Sequence, residues 1–246
     1  LNRQDRCVVP MAGGGESEWS DAVSAAAEAL NGKKAHVVVN ASLSNEALFL
    51  LGRVVAKAGG TLRFSVALGA EAALPGVEDL ALRADRAANV SGAELMGAVR
   101  SAQPYAGVGA GDVLVLADVE PTEVPPAALA AAGAVIFIGT ADPSGFSRLN
   151  VALPIANVVE SEGTFTNLRG RVQRFLQAKA APGHARPAWY ALADLLIAMG
   201  ERADYGSAAD VFAALAATNP AFAGLSYDAL ALRGADVAGA AAGAAR

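Results

Sequence analysis

The stretch AHVVVNASLSNEALFLLGRVVAKAGGTLRFSVAL, residues 35–68, decides the fold class. Its first residues form a β-branched apolar run that ends in a polar loop, which predicts a buried parallel strand. A helical pattern follows, with Ser44 or Asn45 as the cap, Glu46 in the first turn and two glycines as the stop. A second strand pattern closes the stretch. Strand, helix and strand at this length predict a right-handed βαβ unit.

The same alternation extends on both sides of this unit. SEWSDAVSAAAEAL (17–30) has apolar residues at helical spacing and predicts a helix capped by Ser17. GDVLVLADVEP (111–121) and AVIFIGT (134–140) predict further buried strands. We therefore expect an α/β chain, with a mostly parallel doubly wound sheet and a smaller C-terminal segment of mixed strands and helices.

The character of the sequence changes along the chain and predicts four segments. Residues 1–16 are polar and glycine-rich and predict a flexible N-terminal segment. Residues 17–148 predict the α/β domain, and residues 149–232 a C-terminal segment of short strands and helices. Residues 233–246 form a low-complexity tail rich in alanine and glycine.

Composition excludes several classes of function. Of 246 residues, 54% are hydrophobic and 17% are charged, and the net charge of −5 without a long basic run argues against nucleic-acid binding. One cysteine, Cys7, excludes a disulfide framework and a cluster that needs about four thiolates. With only His36 and His184, we expect no zinc site. No apolar run reaches the length of about 18 residues that predicts insertion into a membrane.

Polar residues in the loop NASLSNEA after the first strand pattern allow two interpretations. Asn40, Ser42, Ser44 and Asn45 lie where a helix N-terminus favours an anion, and they can donate to a phosphate. Alternatively, Ser44 caps the helix and the others solvate a turn. The loop lacks a dinucleotide-type glycine fingerprint. AGGGES (12–17) has no preceding strand and no following lysine, so it predicts a linker instead of a phosphate cradle.

No catalytic constellation is visible elsewhere. Asp118 and Glu120 follow a strand and point to opposite faces if that strand continues, which argues against a carboxylate pair. His36 and His184 have no nucleophile or acid at a spacing that suggests a triad, and Cys7 has no evident partner.

The densest polar stretch is EGTFTNLRGRVQ, residues 162–173. Polar residues alternate in part with apolar ones, as expected of a half-buried segment. Its polar groups point either into an internal network or at an anionic ligand. The local spacing of these residues does not distinguish an internal network from a ligand site.

A wider segment, LPIANVVESEGTFTNLRGRVQRFLQAKAAPGHARPAWYALADLL (153–196), closely resembles the C-terminal part of the large iron–sulfur subunit of bacterial respiratory complex I, the NADH-quinone oxidoreductase. That subunit belongs by fold to the molybdopterin oxidoreductase family. The positions that match its typical pattern are Leu153, Pro154, Glu162, Gly163, Thr164, Phe165, Thr166, Asn167, Gly170, Arg171, Gln173, Ala185, Arg186, Pro187 and Trp189. The helix patterns at 17–30 and 44–59 resemble the family more weakly.

The resemblance implies a structural or accessory part of the peripheral arm of complex I, which passes electrons from NADH to quinone. The family's cysteine-rich portions and its molybdenum-ligand loop have no counterpart in this chain, so it implies no catalytic residue, metal or cofactor here. Iron–sulfur clusters and FMN are then expected in partner subunits of the arm, on the cytoplasmic side of the inner membrane. The implied structural motif comprises Glu162, Gly163, Thr164, Phe165, Asn167, Gly170, Arg171 and Gln173.

Two alternatives stay open. In the first, the chain is a molybdopterin-binding oxidoreductase portion, and Thr164, Asn167, Arg169 and Arg171 contact the pterin. In the second, it is a free-standing binding module derived from the same scaffold.

Overall fold

The computed structural model describes residues 4–238. Within them, the helices are α1 (Trp19–Leu30), α2 (Asn45–Ala58), α3 (Val90–Leu95), α4 (Pro126–Ala131), α5 (Ala188–Ala198), α6 (Ala208–Thr218) and α7 (Tyr227–Leu230). The strands are β1 (Met11–Ala12), β2 (Gly15–Glu16), β3 (Ala35–Val39), β4 (Gly60–Phe64), β5 (Ala72–Leu74), β6 (Val77–Leu82), β7 (Val99–Arg100), β8 (Val113–Ala117), β9 (Ala134–Gly139), β10 (Val151–Pro154), β11 (Gly163–Thr166), β12 (Arg171–Phe175) and β13 (Ala235–Asp236).

One large sheet carries the fold, with strands in the order β2-β1-β10-β9-β8-β3-β4-β7. The six strands from β10 to β7 in this order are parallel, and only β1 and β2 are antiparallel. The predicted α/β class with a mostly parallel doubly wound sheet is confirmed. Among the parallel strands, β3 comes first in the chain; β4 and β7 follow on one side of it, and β8, β9 and β10 are added on the other, so the order reverses between β3 and β8. In such sheets ligands bind outside the carboxyl ends of the strands at this switch point.

Both faces of the central strands are buried, as their sequences, apolar except for His36, predict. On one face, Val37 and Val115 pack with the helices α1, α2, α5 and α6. On the other face, Val38, Leu114 and Leu116 pack with the shorter connections after β8 and β9. The sheet is therefore the middle layer of the molecule.

The first βαβ unit forms as predicted, from β3 through α2 to β4. Ser44 is the N-cap of α2, and its hydroxyl accepts from the Ala47 backbone N at 3.3 Å. Gly60 begins β4 at a φ of 126°, where a side chain would collide with the Ala35 backbone, so only glycine fits there. The predicted cap of α1 was wrong by one residue: the helix begins at Trp19 with Glu18 as its N-cap.

Residues 11–16 of the predicted flexible N-terminal segment form two short strands at the edge of the sheet, and residues 1–3 lie outside the described residues. β1 pairs with β10, and β1 and β2 are joined by Gly13 and Gly14, both at positive φ. A two-residue turn with positive φ at both positions matches the twist of a hairpin, which explains the glycines. Upstream, Arg6 donates to both oxygens of the Glu160 carboxylate at 2.7 and 2.8 Å, and both side chains are buried.

The C-terminal segment is tied closely to the α/β part. β10, which follows residue 148, belongs to the large sheet, and α5 packs against α1 and α2. Arg186 lies over the ring of Trp19 at 4.2 Å, and both side chains donate to the Asp194 carboxylate. β11, β12 and β13 form a separate antiparallel sheet. Part of the predicted tail is thus β13, whereas 239–246 lie outside the described residues.

Across residues 4–238, none of the helices combines the length and the apolar character needed to span a bilayer.

Candidate functional site

A crevice of about 250 Å³ lies at the carboxyl edge of the large sheet, over the switch point. The loop after β3, the ends of β8 and β9, the segment around β11 and β12, and the start of α5 enclose it. We call it the switch-point crevice. Its lining residues are Ser42, Leu43, Ser44, Ala88, Asp118, Thr140, Ala156, Asn157, Val158, Ser161, Glu162, Phe165, Phe175, Ala188 and Trp189.

Asp118 occupies the floor of this crevice in an unusual backbone conformation. It directly follows β8 and has a φ of 55°, one of two non-glycine residues at positive φ in the part of the chain described. Its Oδ1 accepts from the Thr140 backbone N at 3.0 Å and from the Thr140 hydroxyl at 2.8 Å. Its carbonyl accepts from the Asn40 amide at 3.2 Å. Backbone strain of this kind is often found at functional sites. Here the hydrogen bonds of Asp118 join the ends of β8 and β9 to the loop after β3.

The far wall of the crevice is aromatic. Phe165 of β11 and Phe175 of β12 stack with their ring centroids 4.7 Å apart. Trp189, in the first turn of α5, is only 7% exposed, and its indole Nε1 has no hydrogen-bond partner among the described residues. A buried donor without an acceptor is costly and uncommon in folded proteins. This wall therefore offers flat apolar contact.

The charge of the switch-point crevice is negative. Asp118 and Glu162 are its ionisable side chains, and its described lining contains no lysine, arginine or histidine. Glu162 is half-buried and makes no hydrogen bond or ion pair with any described side chain or backbone group. A second cavity, of about 370 Å³, lies on the other side of the loop after β3 and includes Arg86. The guanidinium of Arg86 donates to the Ala70 carbonyl at 2.9 Å.

The threonines of the GTFTN motif face away from the crevice into a buried network. The backbone N of Thr164 donates to Glu46 Oε2 at 3.0 Å, and its hydroxyl donates to Glu46 Oε1 at 2.8 Å. Tyr227 of α7 donates to the same Oε1 at 3.0 Å. Burial raises the pKa of Glu46, although the hydrogen bonds from Thr164 and Tyr227 oppose this shift. We call this set, with the two asparagines described next, the buried polar network.

Two asparagines complete the buried polar network. The Asn45 amide donates to the hydroxyls of Thr164 and Thr166, each at 3.0 Å. The Thr166 backbone N donates to Asn89 Oδ1 at 2.7 Å, and the Asn89 amide donates to Asn45 Oδ1 at 3.0 Å. Glu46 and these four polar side chains are buried. The network joins α2, the start of α3 and β11, so the motif fixes the C-terminal segment to the α/β part.

The remainder of the motif forms a turn between β11 and β12. Asn167 Oδ1 accepts from the backbone N of Arg169 and of Arg171, at 2.9 and 3.0 Å, and Gly170 has a φ of 78°. The Arg171 guanidinium donates to Asp236 at 3.2 Å and to the Arg233 carbonyl at 2.9 Å. Arg169 is exposed, as is Gln173 in β12.

Gly163 is required by close packing. A side chain there would come within 2.9 Å of Glu46 Oε2 and within 3.0 Å of the Phe175 ring. The glycine thus lets β11 lie against α2, at the point where the buried polar network and the crevice wall meet.

The other residues considered from the sequence are placed apart from one another. Cys7 is buried, and burial raises the pKa of its thiol to about 12, so it carries no thiolate for nucleophilic attack near neutral pH. His36 lies on β3 between Thr61 and Asp112, at 3.2 and 3.3 Å. Among the described side chains, no three of the His, Cys, Asp and Glu residues form a group able to hold a metal ion.

The residues present do not fit a phosphate-bearing pterin. The four candidate contacts, Thr164, Asn167, Arg169 and Arg171, do not line the switch-point crevice. The hydrogen-bonding groups of Thr164 are committed to Glu46 and Asn45, and the Arg171 guanidinium is committed to the segment at 233–236. A phosphate in the crevice would also face two carboxylates without a cation in the described lining.

Comparison with known proteins connects this architecture to one family. Residues 126–197, which include β9 to β12 and most of α5, match the family model described as molybdopterin oxidoreductase. The match covers the crevice wall and the GTFTN motif, and it spans less than a third of the chain.

Curated relatives align with about a third of the chain. The F420-dependent formate dehydrogenase 2 subunit alpha of Methanococcus maripaludis is 40% identical over 87 residues, or 35% of this chain and 13% of that protein. A Bacillus subtilis protein named "Putative formate dehydrogenase YrhE" is 37% identical over 81 residues, or 33% of this chain and 8% of that protein. The aligned part therefore spans less than one-sixth of either relative's length.

Sequence patterns do not reveal the partners of the motif. Asn89 and Tyr227 lie outside the predicted site, although each contributes to the buried polar network. For Glu46 the pattern predicts only an acidic residue in the first turn of a helix. One sequence feature could have indicated the network. Asn45 and Glu46 are polar, yet they occupy positions of α2 that its apolar pattern would place in the core. Trp189 is indicated only by the family pattern.

Proposed function

We infer that this chain is a structural portion of the peripheral arm of an NADH-quinone oxidoreductase, of the type found in the large iron–sulfur subunit. In this role it supports electron transfer from NADH to quinone and holds no redox centre itself. FMN and iron–sulfur clusters belong to the partner subunits, and the complex is peripheral to the cytoplasmic face of the inner membrane. The partners are other subunits of the arm.

One observation carries this proposal: the hydrogen-bonding capacity of the GTFTN motif is used inside the protein. Thr164 and Thr166 bind Glu46, Asn45 and Asn89, and these groups are buried. Such fully satisfied networks rigidify a core and specify one arrangement of its parts. A motif used in this way supports assembly of the scaffold more directly than it supports cofactor binding.

A second candidate is a portion of a molybdopterin-dependent oxidoreductase of the formate dehydrogenase type. The names of the relatives and the family segment at 126–197 favour it. The acidic lining of the switch-point crevice weighs against a phosphate-bearing group there. A free-standing binding module derived from the scaffold is the third candidate.

Native purification separates these candidates. The tagged chain is purified from its source without denaturant, and the co-purifying proteins, molybdenum, iron and pterin are quantified. Our proposal predicts co-purification with flavin- and iron–sulfur-containing subunits, without stoichiometric molybdenum. Molybdenum and a fluorescent pterin that remain with this chain would overturn it in favour of the second candidate. A chain that purifies alone and without cofactor would favour the third.

A further inference from the structure

We propose that Asn31, which directly follows α1, is a site of spontaneous deamidation, a modification that converts its side-chain amide into a carboxylate. The inference does not depend on the function proposed above. It is carried by the residue that follows Asn31, by the exposure of both residues and by the hydrogen bonds that the other asparagines make.

The reaction needs a particular pair of neighbours. The backbone nitrogen of the next residue attacks the side-chain carbonyl carbon of asparagine and loses its proton, and the side-chain amide leaves as ammonia. The new C–N bond closes a succinimide ring, which one water molecule then opens to aspartate or isoaspartate. No oxidant, reductant or cofactor is consumed. A side chain on the attacking residue hinders ring closure, so glycine is the favourable successor.

Asn31-Gly32 is the only Asn-Gly pair in the sequence. Both residues are exposed, and they form the turn between α1 and β3. Gly32 has a φ of 67°, and a side chain placed there would have no neighbour within 4 Å. The attacking nitrogen therefore meets no steric obstacle, and water reaches the ring that forms.

The reacting groups are not held by hydrogen bonds. Neither the side chain of Asn31 nor the backbone N of Gly32 bonds to any group in the part of the chain that the structure describes. Asn31 has a ψ of 117°, and ring closure requires rotation about this bond. The hydrogen bond from Lys33 N to Leu30 O, at 3.1 Å, opens in this rotation. Such opening at an exposed helix end costs little free energy.

The other asparagines that the structure describes have their side chains engaged. Each makes at least one side-chain hydrogen bond, and they are Asn40, Asn45, Asn89, Asn150, Asn157, Asn167 and Asn219. A side chain held in this way does not turn freely towards the next backbone nitrogen, and none of these residues precedes a glycine. Asn31 is thus distinguished by its successor and by its free side chain.

Deamidation changes the charge at a helix end. It adds one negative charge to a chain whose formal net charge is −5. The new carboxylate lies beside the negative end of the α1 dipole, where a cation is the favoured charge. Asn31 also lines a cavity of about 670 Å³ together with Glu28 and Lys57. The modification therefore alters the charge of this cavity as well as of the turn.

The test follows the purified whole chain during incubation in mildly alkaline buffer, where the backbone nitrogen loses its proton more readily. Peptide mapping by mass spectrometry measures aspartate and isoaspartate at each asparagine, and isoelectric focusing measures the more acidic species. We expect the fragment that contains residue 31 to convert first. The hydrogen-bonded asparagines are internal controls and should convert about tenfold more slowly or less, because at least one hydrogen bond must break before they react.

Two variants assign the acidic species to residue 31. Asn31→Gln places an amide at the same exposed position, but its longer side chain closes a less favourable six-membered ring, so the first acidic species should be lost. Asn31→Asp carries the added charge from the start and should migrate with that species before any incubation. Circular dichroism confirms that both variants are folded.

Two results would overturn the proposal. In the first, Asn31 stays unmodified in the native protein but converts in the chain unfolded by urea, which would mean that the fold protects it. In the second, Asn31 and the hydrogen-bonded asparagines convert at equal rates in the native protein. Neither result bears on the proposed function, because the purification experiment does not involve residue 31.

Discussion

Thr164 of β11 donates two hydrogen bonds to the carboxylate of Glu46 on α2, one from its backbone N at 3.0 Å and one from its hydroxyl at 2.8 Å. The two residues are 118 positions apart in sequence and both are buried. Each oxygen of a carboxylate inside the core therefore has a donor. This pair is the centre of the buried polar network.

Thr164→Val tests the hydroxyl of this pair. Valine keeps the shape but removes one donor to Glu46 and the acceptor for the Asn45 amide. Because partners are left unsatisfied in the core, we expect the free energy of unfolding to fall by about 1–3 kcal/mol. Urea denaturation measures the change. Thr122→Val, at an exposed threonine before α4, is the control and should stay within about 0.5 kcal/mol of wild type.

Glu46 also makes stability depend on pH. Since the folded-state pKa is raised above the usual value, the folded protein binds more protons than the unfolded chain in the range above about pH 4.5. The stabilising effect of protonated Glu46 is thus present at low pH and is lost as pH rises through the folded pKa. We expect Glu46→Gln, which removes this titration, to gain stability relative to wild type between pH 5 and pH 8.

Urea denaturation of both proteins across that range measures the Glu46 effect. The comparison of variant with wild type cancels the other titrating groups. A constant difference between the two proteins at every pH would contradict a raised pKa.

Two helical glycines should respond oppositely to alanine. A side chain at Gly92 in α3 would collide with the amide oxygens of Asn89 and Asn45, in the buried polar network. We expect Gly92→Ala to destabilise the protein by about 1–3 kcal/mol. At Gly52, inside α2, the added carbon meets only the Met96 carbonyl at 3.7 Å. Gly52→Ala should therefore stabilise by about 0.5–1 kcal/mol, because alanine favours the helix. Thermal unfolding of both variants measures whether each one is less or more stable than the wild type.

The ion pair of Arg6 and Glu160 should be essential because both side chains are buried. Burial opposes ionisation of Glu160, but the hydrogen bonds from Arg6 and neighbouring groups outweigh this effect and lower its pKa to about 2. We expect Arg6→Met to lower the free energy of unfolding by about 1–3 kcal/mol, because the buried Glu160 carboxylate loses two donors and keeps only Lys179 and the Asn157 backbone N. Glu160→Gln in the same background should restore part of the loss.

Acid titration gives an independent measure of this ion pair. Glu160 has a lowered folded pKa, so its stabilising contribution is present above about pH 4.5 and is lost as pH falls towards 2. In Arg6→Met that loss should begin at a higher pH. An unchanged acid transition in the variant would show that Arg6 does not hold the carboxylate.

Sequence patterns predicted the parts of the molecule that follow local rules. The strands β3 and β8 are apolar except for His36, and Ser44 caps α2 as its position indicates. β1 and β2 have two residues each, which is too short for an alternating pattern of polar and apolar residues to be recognised. Their place in the sheet depends on the pairing of β1 with β10, which is distant in sequence.

The candidate site was less predictable for a physical reason. The GTFTN stretch fits an internal network and an anion site equally well by composition. Whether its polar groups point into the core depends on Glu46, Asn89 and Tyr227, which lie on three elements that are distant in sequence. The unpaired state of Glu162 among the described residues likewise appears only after the fold places Arg6 and Lys179 at Glu160 instead.

Amide hydrogen exchange at Thr164 and Thr166 tests most directly whether the motif is an internal tie. Both N–H groups donate to buried side chains, Glu46 Oε2 and Asn89 Oδ1. The account predicts that both amides exchange only through large-scale unfolding, with protection equal to that of the β3 and β8 core. Exchange of either amide at the rate of an exposed loop would contradict it and reopen the motif as a binding surface.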